Sequence, residues 1–224
     1  MHKIPLTKKT VSNNHLLRAG IIAGVLVMTL SLSLAYLSEG FDISRHANSQ
    51  LVLGEWGWLQ TINFIMYGIL VTIASIGMHQ VMGGKPGGTW APLLMAIYGI
   101  GGFIVGLAPT DPAFGFPPGS DVIFKGYDHI SLSAQIHGIA GGIAFTAMAL
   151  ASLVFARYFT AAKDYLWTGL SLIIGLSVLG VTAYLIYSAG SEISSFNYLP
   201  TWIVGSLLWL YVSLVSWRLS QKTT

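Results

Sequence analysis

Residues 165–187 read YLWTGLSLIIGLSVLGVTAYLIY and contain no charged side chain. As an α-helix, this stretch is about 34 Å long at a rise of ~1.5 Å per residue. That length is enough to cross the hydrocarbon core of a bilayer, which is roughly 30 Å thick. A surface helix of a soluble protein would instead carry a charged or polar face. The stretch therefore predicts a transmembrane helix.

Five further apolar stretches of similar length predict that the chain crosses the membrane six times. Tryptophan and tyrosine recur at their ends, as they do at membrane–water interfaces. The first stretch follows a basic tail, as in a signal peptide, but its length and the charge pattern predict a retained helix. We expect one all-α domain over residues 1–224, a bundle of six transmembrane helices at about 16–37, 56–78, 91–108, 133–156, 165–187 and 198–217.

The composition agrees with a membrane protein. Hydrophobic residues make up 54% of the chain and charged residues only 8%, whereas soluble domains carry roughly 25% charged residues. The formal net charge is +3, but the basic residues are scattered at helix ends, which argues against nucleic acid as a partner. The chain has no cysteine, and this excludes disulfides, thiol catalysis and cysteine-ligated metals.

Charges of opposite sign fall on opposite sides of the predicted membrane. Nine of the eleven Lys and Arg residues share a side with the N-terminal tail. Seven of the eight acidic residues lie on the other side. The positive-inside rule then places both termini in the cytoplasm of a multi-pass protein of the plasma membrane.

The two longer predicted outer loops contain most of the residues capable of chemistry. The first, from Ser38 to Glu55, offers a carboxylate, an imidazole, hydroxyls and Arg45, one of only two basic residues on this side. The second runs from Pro109 to Leu132, and His137 follows about one turn inside span four. We expect a polar cluster at the outer end of the bundle, formed by Asp42, Arg45, His46, Ser49, Glu55, Asp111 and His137.

Secondary candidates surround this cluster. Gln60 and Asn63 lie one and two turns deeper in span two, where interhelical hydrogen bonds are the simpler interpretation. Asp128 or Ser131 is suited to capping span four. His129, Ser133 and His137 are spaced four residues apart, so on one helix they would lie on the same face, within an arc of about 80°.

Three interpretations of these residues stay open. The histidines and acids could supply three metal ligands, although no His-x-x-x-His pair is present. Ser133 and His137 have the spacing of a nucleophile and its base. An ionisable residue inside a membrane span is by default functional or paired. His137 is therefore either a hydrogen-bond anchor within the bundle or part of a site.

Spans three and four are rich in glycine. The pairs Gly102 with Gly106 and Gly138 with Gly142 both have the small-xxx-small spacing that lets helices approach closely in lipid. We therefore expect spans three and four to touch through these residues.

Several of these motifs resemble a family catalogued as domain of unknown function 998, small six-helix membrane proteins of bacteria and archaea. The resemblance rests on the segment from Asp42 to Leu51, on Gly54-Glu55-Trp56-Gly57-Trp58-Leu59-Gln60, on Pro109-Thr110-Asp111-Pro112 and on Ile136-His137-Gly138. It implies the six-helix topology but no activity. A more distant likeness, to six-helix eukaryotic proteins of lipid-anchor remodelling, implies only that a lipid-related role is plausible.

These residues favour the interpretation that the chain is a membrane protein that binds or senses a lipid or small ligand at the outer cluster. The first alternative is a membrane-embedded enzyme that acts on a lipid or amphiphile at the same end. The second is a small permease, although the centres of the spans hold no charged residue. Membrane lipids are the expected partners, while cofactor, metal and oligomeric state do not follow from the sequence.

Overall fold

The computed structural model of this protein describes residues 8–121, 129–189 and 197–222. This described part folds into helices and contains no strand, and all six long helices are long and apolar enough to cross a membrane. The predicted all-α six-helix fold is therefore confirmed. The long helices are α1 (Lys8–Leu37), α2 (Gly57–Met82), α3 (Trp90–Leu107), α4 (Leu132–Ala161), α5 (Tyr165–Ala189) and α6 (Leu199–Ser220), and a short 3₁₀ helix spans Asn48–Leu53.

Three of the six long helices extend by four or more residues beyond the apolar spans expected for them. Helix α2 ends at Met82 and α4 at Ala161, each about one turn later than predicted, and α1 already begins at Lys8. Hydropathy marks only the part of a helix that lies in hydrocarbon. Polar and aromatic residues such as Arg157 and Tyr158 continue α4 to the headgroup level, where such side chains are favourable.

The helices pack mainly against their neighbours in the chain. Helix α1 lies between α2 and α6, α3 lies between α2 and α4, and α5 packs on α4, while the contact between α5 and α6 is sparse. Only 28% of the α5 span is buried, the smallest share of the six. Helix α5 is therefore the most peripheral helix of the bundle.

Glycines set the closest helix approaches, but not in the way expected. A Cβ at Gly101 of α3 would lie 2.6 Å from the Cβ of Ala144 of α4, so this glycine permits the α3–α4 contact. Gly106 faces Phe64 and Ile65 of α2 instead, and nothing lies within 4 Å of the Cβ positions of Gly138 and Gly142. Spans three and four do touch, but the prediction that these four glycines form the contact was wrong. Spacing alone does not specify which neighbour a glycine faces.

Buried amides join α1 to α2, as expected for Gln60 and Asn63. Asn63 Nδ2 donates to the carbonyl oxygen of Val27 at 3.3 Å and to Ser31 Oγ at 3.2 Å. Gln60 Nε2 donates to Ser31 Oγ at 3.0 Å and to Asn48 Oδ1 at 3.2 Å, so the network continues into the 3₁₀ helix. Buried polar groups need such partners because an unmade hydrogen bond is costly away from water. The network fixes the first loop on the end of the bundle.

Candidate functional site

Two connecting segments, residues 38–56 and 108–121, cover the end of the bundle where the polar cluster was expected. We call these segments the cap and this end the cap end. The opposite end, where α1 begins and α6 ends, is the terminus end. The cap contains six of the seven main candidates, and His137 lies just below it in α4.

His46 is the best-connected residue of the cap. Its Nδ1 accepts a hydrogen bond from the backbone N–H of Asp42 at 2.9 Å, and its Nε2 lies 3.1 Å from the carbonyl oxygen of Phe114. An imidazole nitrogen that accepts must be unprotonated, so the other nitrogen carries the proton and donates to Phe114. The backbone carbonyl of His46 accepts from Trp202 Nε1 at 2.9 Å. One residue thus joins both cap segments to α6.

Aromatic side chains enclose the imidazole of His46. The rings of Phe41 and Phe116 lie 5.2 and 5.4 Å from it, centroid to centroid, and His46 is only 3% exposed. Burial lowers the pKa of His46, although the hydrogen bond to Phe114 partly offsets this effect. The neutral imidazole that the hydrogen bonds require is therefore the form that the environment favours.

The second cap segment presents its carbonyls to the first. Phe114 has a φ of 60°, a left-handed conformation that aromatic residues rarely adopt. Its carbonyl accepts from His46, and the carbonyl of Ala113 accepts from Gln50 Nε2 at 3.0 Å. Gln50 is buried, and its Oε1 also accepts from the backbone N–H of Ala47 at 2.8 Å. Two buried side chains thus bind two consecutive carbonyls of the opposite segment.

Asp42 lies at the solvent side of this arrangement. Its Oδ1 accepts from the hydroxyl of Ser44 at 2.7 Å and from the Ser44 backbone N–H at 2.8 Å. These hydrogen bonds lower the pKa of Asp42 because they stabilise the carboxylate. The carbonyl of Ser44 in turn accepts from the N–H of Tyr198, just before α6. The Asp42 carboxylate therefore shapes the turn that precedes His46.

A second polar group fixes the start of α4. Asp111 accepts from the backbone N–H of Ser131 at 2.8 Å and from its hydroxyl at 2.6 Å. The hydroxyl oxygen of Ser131 accepts from the N–H of Ala134, which is an N-cap of α4. His137 Nδ1 donates to the carbonyl of Ala108 at 2.7 Å, at the C-terminus of α3. Asp111 and His137 thus hold the α3–α4 connection.

Two expectations about α4 need correction. Because Ser131 caps α4, the helix begins only at Leu132, so His129 lies before it and does not share a helical face with Ser133 and His137. The hydroxyl of Ser133 donates to the carbonyl of Pro109 at 2.8 Å, whereas His137 binds Ala108. The spacing of a nucleophile and its base is present, but each side chain is bound to its own main-chain carbonyl. Asp128 lies outside the described residues.

The structure divides the expected cluster into two groups. Asp42 and His46 form the first, and Asp111, Ser133 and His137 form the second, with the main chain of residues 108–114 between them. The other candidates are Arg45, Ser49, Glu55 and His129, whose side chains form no hydrogen bond or ion pair with the described residues. Among those residues, no three His, Asp or Glu side chains lie close enough to hold a metal ion.

Sequence reasoning missed the residues that complete the cap. Gln50, Trp202 and Phe116 are buried and bind or enclose the His46 region. Gln50 follows polar residues in a predicted loop, and Trp202 resembles any aromatic residue of the membrane interface. Only the aromatic residues of the second outer loop, among them Phe114 and Phe116, hinted at a packed cap.

A comparison with protein families agrees with this architecture. A family model described as "Protein of unknown function (DUF998)" matches residues 21–218. The chain belongs to this family. The matched range covers most of α1, all of α2 to α5 and all but the last two residues of α6, together with the cap. No curated protein and no solved structure matches the chain.

Proposed function

We propose that this protein binds a membrane lipid or similar amphiphile, whose hydrocarbon chain lies between the cap-end halves of α4 and α5. One observation supports this proposal: residues along a single face of α4 are buried in the terminus half of the helix and exposed in its cap half. Gln135, Gly138, Gly142 and Ala149 share this face because a helix repeats about every 3.6 residues. Ala149 is fully buried, whereas the other three are exposed.

The face of α5 that lies toward α4 shows the same change, from close contact in the terminus half to exposure in the cap half. In the terminus half, Thr168 Oγ1 lies 3.2 Å from Thr160 Oγ1, and a Cβ at Gly175 would lie 3.2 Å from the carbonyl of Ala149. Toward the cap end, Leu179 is 40% exposed and Ile186 is 72% exposed. The two helices therefore separate toward the cap, and we call the space between Gln135–Gly142 and Leu179–Ile186 the lateral cleft.

The chemistry of the lateral cleft suits a hydrocarbon chain. Its walls carry glycine, leucine and isoleucine, with the amide of Gln135 at the cap end. The cleft opens sideways at the depth of the apolar spans, where lipid chains are the surrounding solvent. A chain held there would contact two helices at once, which gives it more van der Waals partners than bulk lipid provides.

The hydrogen bonds of the cap argue against catalysis and leave ligand binding as the better-supported function. Both ring nitrogens of His46 are occupied by main-chain groups, and Ser133 and His137 are each bound to a separate carbonyl. A nucleophile and a general base would need to lie within hydrogen-bond reach of each other and of the substrate. The permease alternative needs ionisable groups along a path through the membrane, whereas the buried polar groups between α1 and α2 are amides and a hydroxyl.

Photo-crosslinking tests this proposal. A phosphatidylcholine with a diazirine in its acyl chain is added to the purified protein in mild detergent at a limiting ratio, and adducts are located by mass spectrometry. We expect adducts on Gly138, Gly142, Leu179 and Ile186, and few on the neighbouring stripe of Ile139 and Ile143. Gly142→Leu should lower the yield of adducts in the cleft several-fold, because the leucine side chain would fill the open space.

Gly169→Leu is the matched control. Nothing lies within 4 Å of the Cβ position at Gly169 either, but this residue lies on a different stripe of α5 in the terminus half. It should leave the adduct pattern unchanged. Equal labelling of the Ile139–Ile143 stripe, or crosslinks from the cleft to a second copy of the chain, would refute the proposal.

A further inference from the structure

A largely apolar groove that contains one basic side chain, Arg18, lies at the terminus end, far from the cap and unrelated to the lateral cleft. It has a volume of about 300 Å³ and lies between α1 and α6, which run antiparallel. On α1 the lining residues are three or four positions apart and share one face, and on the α6 side they lie within the last turn of the helix and the residue after it. The lining residues are Asn14, Arg18, Ile21, Trp217, Ser220 and Gln221.

The groove has a positive charge, and no carboxylate of the described residues neutralises it. Arg18 is exposed, and its guanidinium makes no ion pair with the described residues. Of the acids in the described part, only Asp164 lies at this end, and its Oδ2 is 2.6 Å from Nη2 of Arg218. Arg157, Lys163 and Lys222 add to the positive charge of the same end. An anion is therefore the complementary ligand for Arg18.

The depth and the walls of the groove define the class of anion. Arg18 lies near the start of the apolar stretch of residues 16–37, where the hydrophobic part of α1 meets its polar N-terminal turns. Asn14, Ser220 and Gln221 line the groove together with Arg18, and the Ser220 hydroxyl donates to the carbonyl of Trp217 at 2.7 Å. Ile21 and the half-exposed ring of Trp217 form an apolar wall on the side toward the membrane centre. A ligand that is anionic at one end and apolar at the other fits these walls.

We infer that this groove binds the phosphate headgroup of an anionic glycerophospholipid. Arg18 forms charge-assisted hydrogen bonds with the phosphate oxygens, a geometry for which a guanidinium is well suited. The polar side chains around it solvate the glycerol region, and the first part of an acyl chain runs over Ile21 and Trp217. Basic sites between transmembrane helices are suited to such headgroups.

Native mass spectrometry tests this inference with the full-length protein. The protein is titrated in detergent with phosphatidylglycerol and, separately, with phosphatidylcholine, and the bound fraction is measured for each lipid. We expect saturable binding of one phosphatidylglycerol in preference to phosphatidylcholine. Arg18→Gln should weaken the binding of phosphatidylglycerol roughly tenfold, the size expected for losing one charged hydrogen-bonding group. Arg18→Lys should lose less, because the charge remains.

Arg157→Gln is the matched control, since it removes one exposed positive charge from the same end without touching the groove. It should change the affinity less than twofold. Ile21→Trp keeps Arg18 but fills the groove, and should weaken binding as Arg18→Gln does. Equal binding of both lipids, or equal losses in Arg157→Gln and Arg18→Gln, would overturn the inference. Displacement of phosphatidylglycerol by millimolar inorganic phosphate would instead identify a free-phosphate site and would equally overturn it.

Discussion

The Nε2 of His46 lies 3.1 Å from the carbonyl oxygen of Phe114, a residue 68 positions further along the chain. Its Nδ1 accepts from the backbone N–H of Asp42, so the imidazole connects two main-chain groups of different segments. Trp202 of α6 binds the carbonyl of the same residue. The packing of the cap on the bundle therefore depends on a neutral histidine at its centre.

Replacing this histidine should destabilise the protein strongly. His46→Ala would leave the N–H of Asp42 and the carbonyl of Phe114 without their partner in a partly buried setting. We expect a loss of about 2–3 kcal/mol in the free energy of unfolding, the scale of unsatisfied buried polar groups. The measurement is a denaturant titration in mixed micelles. His129→Ala, at an exposed residue, should change stability by less than ~0.5 kcal/mol, and equal losses in the two variants would contradict this role.

Acidification should act on the same contact. Burial lowers the pKa of His46 below its ordinary value of 6.5, with Arg45 adding to the shift and Asp42 and the Phe114 carbonyl opposing it. The unfolded chain therefore binds more protons than the native state just below pH 6.5. The stabilisation that neutral His46 contributes is complete above about pH 6.5, and it is lost as the pH falls toward the lowered pKa of His46 in the folded protein. Melting temperatures between pH 8 and 5 should show this decline, and the decline should be smaller in His46→Gln.

The pH dependence has its own control. His129→Gln replaces an exposed histidine that lacks the contacts of His46, so its profile should run nearly parallel to that of the wild type. A profile of His46→Gln as steep as that of the wild type would show that another group is responsible.

The bundle could be predicted from the sequence, but its contacts could not. An uncharged stretch such as residues 165–187 has few alternatives to a membrane helix, because length and hydropathy are local properties. The partner of His46 is a main-chain carbonyl, and every residue has one, so no side-chain pattern identifies Phe114. The glycines of α3 and α4 likewise indicated close packing without specifying the neighbour. By contrast, Ser131 was predictable as a cap because a helix start leaves local N–H groups unpaired.

Asp111 should stabilise the first turn of α4 through its hydrogen bonds to Ser131. Asp111→Ala removes both hydrogen bonds to Ser131, the residue that caps α4. We expect faster amide hydrogen exchange at Ala134 and Gln135 and a stability loss of about 1 kcal/mol, the usual size for a weakened cap. Glu55→Ala removes an exposed carboxylate without such contacts and should leave exchange in α4 unchanged. Unchanged exchange in Asp111→Ala would show that Ser131 caps the helix without help.

The ion pair at the terminus end should couple the start of α5 to the end of α6. Arg218 donates two hydrogen bonds to Asp164 Oδ2, from Nε at 3.0 Å and from Nη2 at 2.6 Å, and both side chains are partly buried. A double-mutant cycle with Asp164→Ala and Arg218→Ala should give a coupling energy of about 1 kcal/mol, near the upper end for pairs open to solvent. The same cycle with Arg157→Ala in place of Arg218→Ala should give none. A coupling near zero for the Asp164–Arg218 pair would mean that desolvation offsets the attraction.

The orientation of the bundle can be tested directly, because the chain has no cysteine and single cysteines can be introduced without background. The terminus end carries most of the basic residues and the cap end most of the acids, so the positive-inside rule predicts a cytoplasmic terminus end. In intact cells, a membrane-impermeable maleimide should label Glu55→Cys and Asp121→Cys. Lys85→Cys and Arg157→Cys should react only after the membrane is permeabilised. The reverse labelling would place the cap in the cytoplasm, and a phosphatidylglycerol site at Arg18 would then have to lie in the opposite leaflet.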